Sequence, residues 1–220
     1  IKNTGECILP KNDVPARKRD SFINIGCFNR LNKITDDLVK ILNTILLQND
    51  KTRLFFKTKA LINKRVCSDF IAKFDKRVRN RIIVVDCTIS HEDHVLTYTN
   101  IDIAIDTFPY SGTTTTCEAL YMGVPVFSFY DKTYYFHPQN VSCSILKNSN
   151  LDEYIIYDQP EIYDKIKQLV EKSDDIDYWR DLRNRVKSKF ANGLVCNKTE
   201  YMNNLQNVLE NLYNEKKNVV

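Results

Sequence analysis

Alternation is the feature that most limits what this chain can fold into. From Phe22 onward, short apolar runs alternate with segments of helical period. Phe22–Cys27, Arg53–Lys57, Arg81–Asp86, Ile101–Asp106 and Pro125–Phe129 predict five strands. Between them the sequence predicts a helix behind the cap residue Thr35, another over 60–75, a short one over Glu92–Thr99 and one over Thr115–Met122. In the first, Leu38, Ile41, Leu42, Ile45 and Leu46 fall on one helical face, with Asp36 and Asp37 at the positive end of the dipole. Such repetition predicts a parallel sheet with right-handed crossovers and helices on both faces, a Rossmann-like open α/β domain. Beyond Pro160 no strand pattern recurs. Pro160 opens one helix. Ser173 is placed to cap a second that bears Trp179, Leu182, Val186 and Phe190 and stops at Asn192-Gly193; Thr199 is placed to cap a third with Met202, Leu205, Leu209 and Leu212. The organisation read from this is an arm or linker over 1–20, a sheet domain over 21–159, and C-terminal helices over 160–220 packed on it.

Composition narrows the class. With 220 residues, 43% hydrophobic and 27% charged, the chain can bury a core without a disulfide or metal staple. Its mean hydropathy is −0.40 and no apolar run approaches the length of a bilayer span, so no membrane span is expected. The net charge of +4 is spread over interleaved acids and bases. That pattern reads as a solvated surface rather than a nucleic-acid face, the basic cluster Arg17-Lys18-Arg19 notwithstanding. Seven cysteines stand 20 or more positions apart, which excludes the paired spacing of a zinc site and suits a reducing, cytoplasmic or otherwise intracellular setting. The first residue is Ile1, which suggests part of a longer protein.

In open parallel sheets, ligands bind beyond the carboxyl ends of the strands, so three loops carry the functional argument. The loop after Asp106 reads Asp-Thr-Phe-Pro-Tyr-Ser-Gly-Thr-Thr-Thr-Thr-Cys-Glu-Ala-Leu. Four threonines are poor helix interior, yet at a helix start they surround free N–H groups with hydroxyls, an anion site; an over-supplied N-cap is the competing reading. Glu118, one turn in, faces the same mouth or merely complements the dipole. The loop after Cys27, Phe28-Asn29-Arg30-Leu31-Asn32-Lys33-Ile34, sets two cations and two amides where phosphate contacts could form; Lys33 could equally be a surface charge. The third, Ser90-His91-Glu92-Asp93-His94, opens a helix with two histidines, fit for ligand contact, capping or packing, and lacking an obvious third metal ligand. Asp175-Ile-Asp177 falls at a helix start, where carboxylates simply suit the dipole. Walker A, Gly-X-Gly-X-X-Gly and Gly-X-Ser-X-Gly motifs are absent.

The run from Asp106 to Val126 resembles the signature of the O-linked N-acetylglucosamine transferase family, closest to its bacterial-type members. Phe28–Ile34 and Ser90–His94 resemble two further family motifs in the right order, and the resemblance covers about 22–215. It implies one half of a GT-B fold: the C-terminal half of an inverting, metal-independent glycosyltransferase that needs no cofactor and binds the donor UDP-N-acetylglucosamine. The acceptor would be a Ser or Thr hydroxyl of a protein partner, and the N-terminal catalytic half would lie elsewhere in the parent chain. By resemblance, Lys33 contacts the diphosphate and is the catalytic group, with Asn29 and Arg30 beside it. Gly112, Thr113, Thr114 and Thr115 hold the phosphates, Glu118 the ribose, and His94 packs on the nucleoside. His91 falls where some members have lysine. Thr97 stands where animal members place an arginine near the base, and Asn140 where an arginine commonly follows the segment corresponding to His137-Pro-Gln. A non-catalytic UDP-sugar-binding module and a GT-B enzyme with another acceptor are the alternatives. The isolated chain is expected to bind UDP without transferring sugar.

Overall fold

The structure, a computed structural model, describes residues 20–88, 90–132 and 136–217, so the predicted arm lies outside it except for Asp20. Six strands form the sheet: β1 (Ile23–Cys27), β2 (Thr52–Phe56), β3 (Ile82–Val84), β4 (Ile103–Ile105), β5 (Val126–Phe129) and β6 (Ile155–Ile156). They lie in the order β3-β2-β1-β4-β5-β6, and every pairing is parallel. The chain walks outward from β1 to β3, then crosses to β4 and walks the other way. The crevice between β1 and β4 is therefore the topological switch point, where this fold binds ligands.

The strands form because their sequences can be buried on both faces. Every residue of β1 is buried, so the run Ile-Asn-Ile-Gly-Cys has no polar-out alternation to show. One face meets α1 (Asp36–Gln48), which buries Leu38, Val39, Ile41, Leu42, Ile45 and Leu46 behind the cap at Thr35. Phe56 of β2 packs on Phe70 and Phe74, with ring centroids 5.0 and 6.1 Å away. Phe70 belongs to α2 (Lys64–Ala72), shorter than the 60–75 predicted because a 3-10 turn precedes it and Asn63 caps it.

Beyond β3, α3 (His91–Leu96) and α4 (Thr114–Tyr121) follow the predicted sequence of elements. Two elements were not predicted. β6 has two residues, too few to display any period, and α5 (His137–Lys147) begins with a polar half-turn and Pro138. α6 (Gln159–Glu171) has Asp158 as its cap. α7 (Ile176–Ala191) buries Trp179, Leu182, Val186 and Phe190 as its period requires, but Asp175 rather than Ser173 accepts the capping bond, and Ser173 is buried. α8 (Lys198–Lys217) starts two residues early: Asn197 Oδ1 accepts from Glu200 N at 3.1 Å, leaving Thr199 inside the helix. α6 and α7 bury apolar stripes, whereas α8, predicted to pack with them, buries none of its residues.

Candidate functional site

Asp106 closes β4 and organises the loop that follows. It is 2% exposed, and its carboxylate collects donors from four directions. Oδ1 accepts from Gly112 N at 2.7 Å, Thr107 N at 2.8 Å and Asn29 Nδ2 at 3.1 Å, while Oδ2 accepts from Ser128 Oγ at 3.0 Å. Burial pushes the Asp106 carboxyl upward from its ordinary pKa, and the bonds from Gly112, Thr107 and Ser128 are among those that oppose that push. Gly112 allows this closure. A Cβ there would meet the Thr115 and Thr116 hydroxyls at 2.6 and 2.7 Å. On its outer side the loop is pinned to α5, since Ser111 N donates to Pro138 O at 3.0 Å and Ser142 Oγ to Gly112 O at 2.9 Å.

This bracing delivers the start of α4 to the crevice with its first-turn N–H groups free of intrahelical partners. The four threonines divide by task. Thr115 Oγ1 donates to Asn29 Oδ1 at 3.2 Å and Thr116 Oγ1 pairs with Ser142 Oγ at 2.7 Å, so both brace the loop. Thr113 and Thr114 are exposed, and no threonine side chain caps the helix. The over-supplied N-cap is therefore not what the run builds. What remains at the mouth is two free hydroxyls beside a positive helix end, suited to an anion.

Across the crevice, the loop after β1 turns through Arg30 into a 3-10 turn over Leu31–Lys33. Lys33 reaches over the Tyr110 ring, 3.7 Å from its centroid, and donates to Ser111 O at 2.9 Å. Partial burial lowers its pKa; Asp106 opposes this and Arg30 adds to it. Asn29 is buried with both amide atoms engaged, which makes it a strut between the two loops. Arg30 is exposed at the rim.

The third loop completes the mouth. Ser90 Oγ accepts from Asp93 N at 3.0 Å and starts α3. One turn on, His94 Nε2 lies 3.1 Å from Glu118 Oε2, and Tyr98 OH donates to the same oxygen at 3.3 Å. His91 Nδ1 is 3.9 Å from Oε1. Glu118 is thus buried, with Oε2 shared by His94 and Tyr98 and Oε1 nearest His91. Burial and the Glu118 charge hold the Tyr98 phenol well above its usual pKa. Phe28, Arg30, Lys57, Thr88, His91 and His94 line an open cleft of about 750 Å³ above the ends of β1 and β2. Among the described residues no three His, Cys, Asp or Glu side chains converge as a metal site would require.

Of the nominated residues, Lys33, Gly112, Thr113 and Thr114 thus lie around the start of α4, Glu118 pairs with His94 beside His91, Arg30 is exposed at the cleft wall, and Asn29 and Thr115 brace the two loops. Sequence reasoning missed Asp106, Tyr98, Ser142 and Lys57. Asp106 alone carried a signal, as the acid on which a strand ends before a glycine loop.

Comparison with known proteins adds an independent line. The glycosyl transferase family 41 model matches residues 13–205. The chain is 30% identical over 206 residues to a Petunia hybrida protein described as a probable UDP-N-acetylglucosamine–peptide N-acetylglucosaminyltransferase SPINDLY, covering 93% of this chain and 21% of that protein. The corresponding tomato protein is 29% identical over 196 residues, covering 88% and 20%. Among solved structures, an O-GlcNAc transferase of Thermobaculum terrenum superposes with a TM-score of 0.78 at 25% identity, over 94% of this chain and 39% of that one. Anabaena HepE, solved with UDP-glucose, shares the fold at a TM-score of 0.56 and 12% identity, over 88% and 49%. The chain spans about a fifth of the length of the curated relatives it matches.

Proposed function

The chain belongs to glycosyl transferase family 41, and on that premise we propose that it forms the donor-binding half of an enzyme that transfers N-acetylglucosamine from UDP-N-acetylglucosamine to protein Ser or Thr hydroxyls. The observation that carries this reading is the convergence of Lys33, the start of α4 and the Glu118–His94 pair on one mouth at the switch point. The diphosphate would lie between the Lys33 ammonium and the α4 N-terminus, with the Thr113 and Thr114 hydroxyls as further donors. Glu118, with Oε1 beside His91, would accept from ribose hydroxyls. His94 and Phe28 offer ring faces along the nucleoside.

In the transfer step the acceptor oxygen forms a bond to the anomeric carbon as the bond to the β-phosphate oxygen breaks, on opposite faces, with inversion. The acceptor proton passes to a base that no residue of this chain is nominated to supply. Charge grows on the departing UDP, and Lys33 with the helix end stabilises it, the role a metal ion fills elsewhere. That fixed cation supports a metal-independent reaction.

Titration calorimetry with UDP, UDP-N-acetylglucosamine, UDP-glucose and GDP tests the assignment on the wild type, Lys33→Ala and Thr114→Ala. Uridine nucleotides are expected to bind, and each substitution to weaken them. If none of the four binds the wild type, the site has been misassigned.

A further inference from the structure

Lys57 follows β2 in the wall of the cleft, 4% exposed, with no role in the reading above. Its ammonium has no carboxylate within ion-pair distance among the described residues; Cys87, Glu118 and Asp93, in that order, act on it only at longer range. Two neutral hydroxyls hold it instead, Thr97 Oγ1 at 2.7 Å and Thr88 Oγ1 at 3.1 Å. Thr97 gives its own hydrogen to Asp93 O at 3.0 Å, so towards Lys57 it can only accept. An ammonium has three N–H donors, and the third finds no acceptor among the described residues. Burying a cation on neutral partners is costly, and burial lowers the Lys57 pKa accordingly. Such a group in the wall of a ligand cleft has its missing acceptor on the ligand.

The position of the cleft says which part of the ligand. Lys33 and the α4 start mark the phosphate end, over β1 and β4, and Glu118 marks the ribose. Lys57 and Thr88 stand further out, over β2 and β3, among the side chains of Phe28, His91 and His94. A flat ring fits between such faces, and its edge would meet the ammonium. A donor-only group requires an acceptor there, which a ring carbonyl supplies and a ring amine does not. Resting on the nucleotide-sugar assignment above, we propose that Lys57 donates its third hydrogen to a ring carbonyl of the donor's nucleobase and so anchors the base edge of the pocket.

The test compares two ligands that differ by the base alone. UDP and ribose 5-diphosphate are titrated into the wild type, Lys57→Met and Thr97→Val, with thermal melts to confirm folding; GDP replaces UDP if the wild type binds it more tightly. Lys57→Met is expected to lose roughly tenfold to a hundredfold in nucleotide affinity, the range for a hydrogen bond to a charged group, with ribose 5-diphosphate unchanged. Thr97→Val, which keeps the amine and removes one of its holders, is expected to lose less and again only for the nucleotide. Equal losses for both ligands make Lys57 a structural residue and overturn the inference; so does unchanged nucleotide binding. Failure of the wild type to bind either nucleotide overturns the donor-site assignment and this inference with it. If Lys57→Met does not fold, Thr97→Val decides by the same comparison.

Discussion

A lysine resting on a tyrosine ring and a backbone carbonyl is partly desolvated before any anion arrives. Lys33 is in that position, and burial lowers its pKa. A bound diphosphate favours the charged form and raises the pKa again. Affinity is therefore full below the free-state value and is lost as pH rises from that value towards the higher one of the complex. For UDP-N-acetylglucosamine, whose diphosphate does not itself titrate here, binding is expected to weaken at a lower alkaline pH than an ordinary lysine would impose. Lys33→Arg, which stays protonated, is expected to flatten the profile. Calorimetry across the alkaline range checks it, and identical profiles would remove Lys33 from the phosphate site. Asp106 makes the complementary case. Replacement by alanine leaves several buried donors without partners, a loss of about 3 kcal/mol or more. Asp106→Asn keeps the shape and one acceptor and is expected to lose less, so denaturant titration of the two variants separates hydrogen bonding from volume. Lys33 and Glu118 could be nominated because each follows a strand within a motif-bearing loop or helix start, where a surface charge and a dipole complement were the competing readings. Asp106 and Lys57 were not, since a buried acid or amine declares its partners only when loops remote in sequence meet: Asp106 takes its bonds from positions 29, 107, 112 and 128.

The elements are braced from behind as well as at the mouth. Gly123, just past α4, has φ +73°, and a Cβ there would clash with the Arg183 carbonyl oxygen. Arg183 of α7 in turn donates to Met122 O at 3.0 Å and Ile101 O at 2.7 Å, tying the rear of α4 to the approach to β4. The helix whose front holds the candidate anion site is thus fixed at its back by a glycine and an arginine. Gly123→Ala is expected to cost about 1–3 kcal/mol through the left-handed conformation and the clash. It should also weaken UDP binding by shifting α4; an unchanged melting midpoint would show that the close approach relaxes freely. Helices announced themselves where an apolar stripe repeats over several turns, as Leu38–Leu46 and Trp179–Phe190 did, whereas α5 buries Cys143, Ile145 and Leu146 only in its second half and was not predicted. Caps were less legible, because Ser173, Asp175, Asn197 and Thr199 all qualify chemically, and only the path of the chain decides which one reaches a free N–H. The two-residue β6 forms because β5 offers it an edge, which no local pattern in Ile155-Ile156 records.

At the scale of the whole molecule, the described residues divide into a packed body and a helix, α8, that buries none of its residues. α6 buries Ile162, Ile166 and Leu169, and α7 buries Trp179, Leu182, Val186 and Phe190, so both are part of the core. α8 carries Met202, Leu205, Leu209 and Leu212 at helical spacing, and all four are exposed. Periodicity predicted the helix correctly but could not say what its apolar face meets, because period reports that a face exists and not its partner. Most helical stability in proteins comes from packing an apolar face, which α8 does not do, so α8 should be the first segment to open. Deleting 198–220 is expected to leave unfolding stability within about 0.5 kcal/mol of the parent, as for changes away from packed features. UDP affinity should also be unchanged, because every nominated site residue lies between positions 29 and 118. Deleting from 176 onward removes Trp179 and Arg183 together and is expected to abolish cooperative unfolding. Denaturant melts of the two truncations, read with hydrogen exchange along α8, decide the point. A large loss on removing α8 alone would mean that its apolar face is covered within this chain.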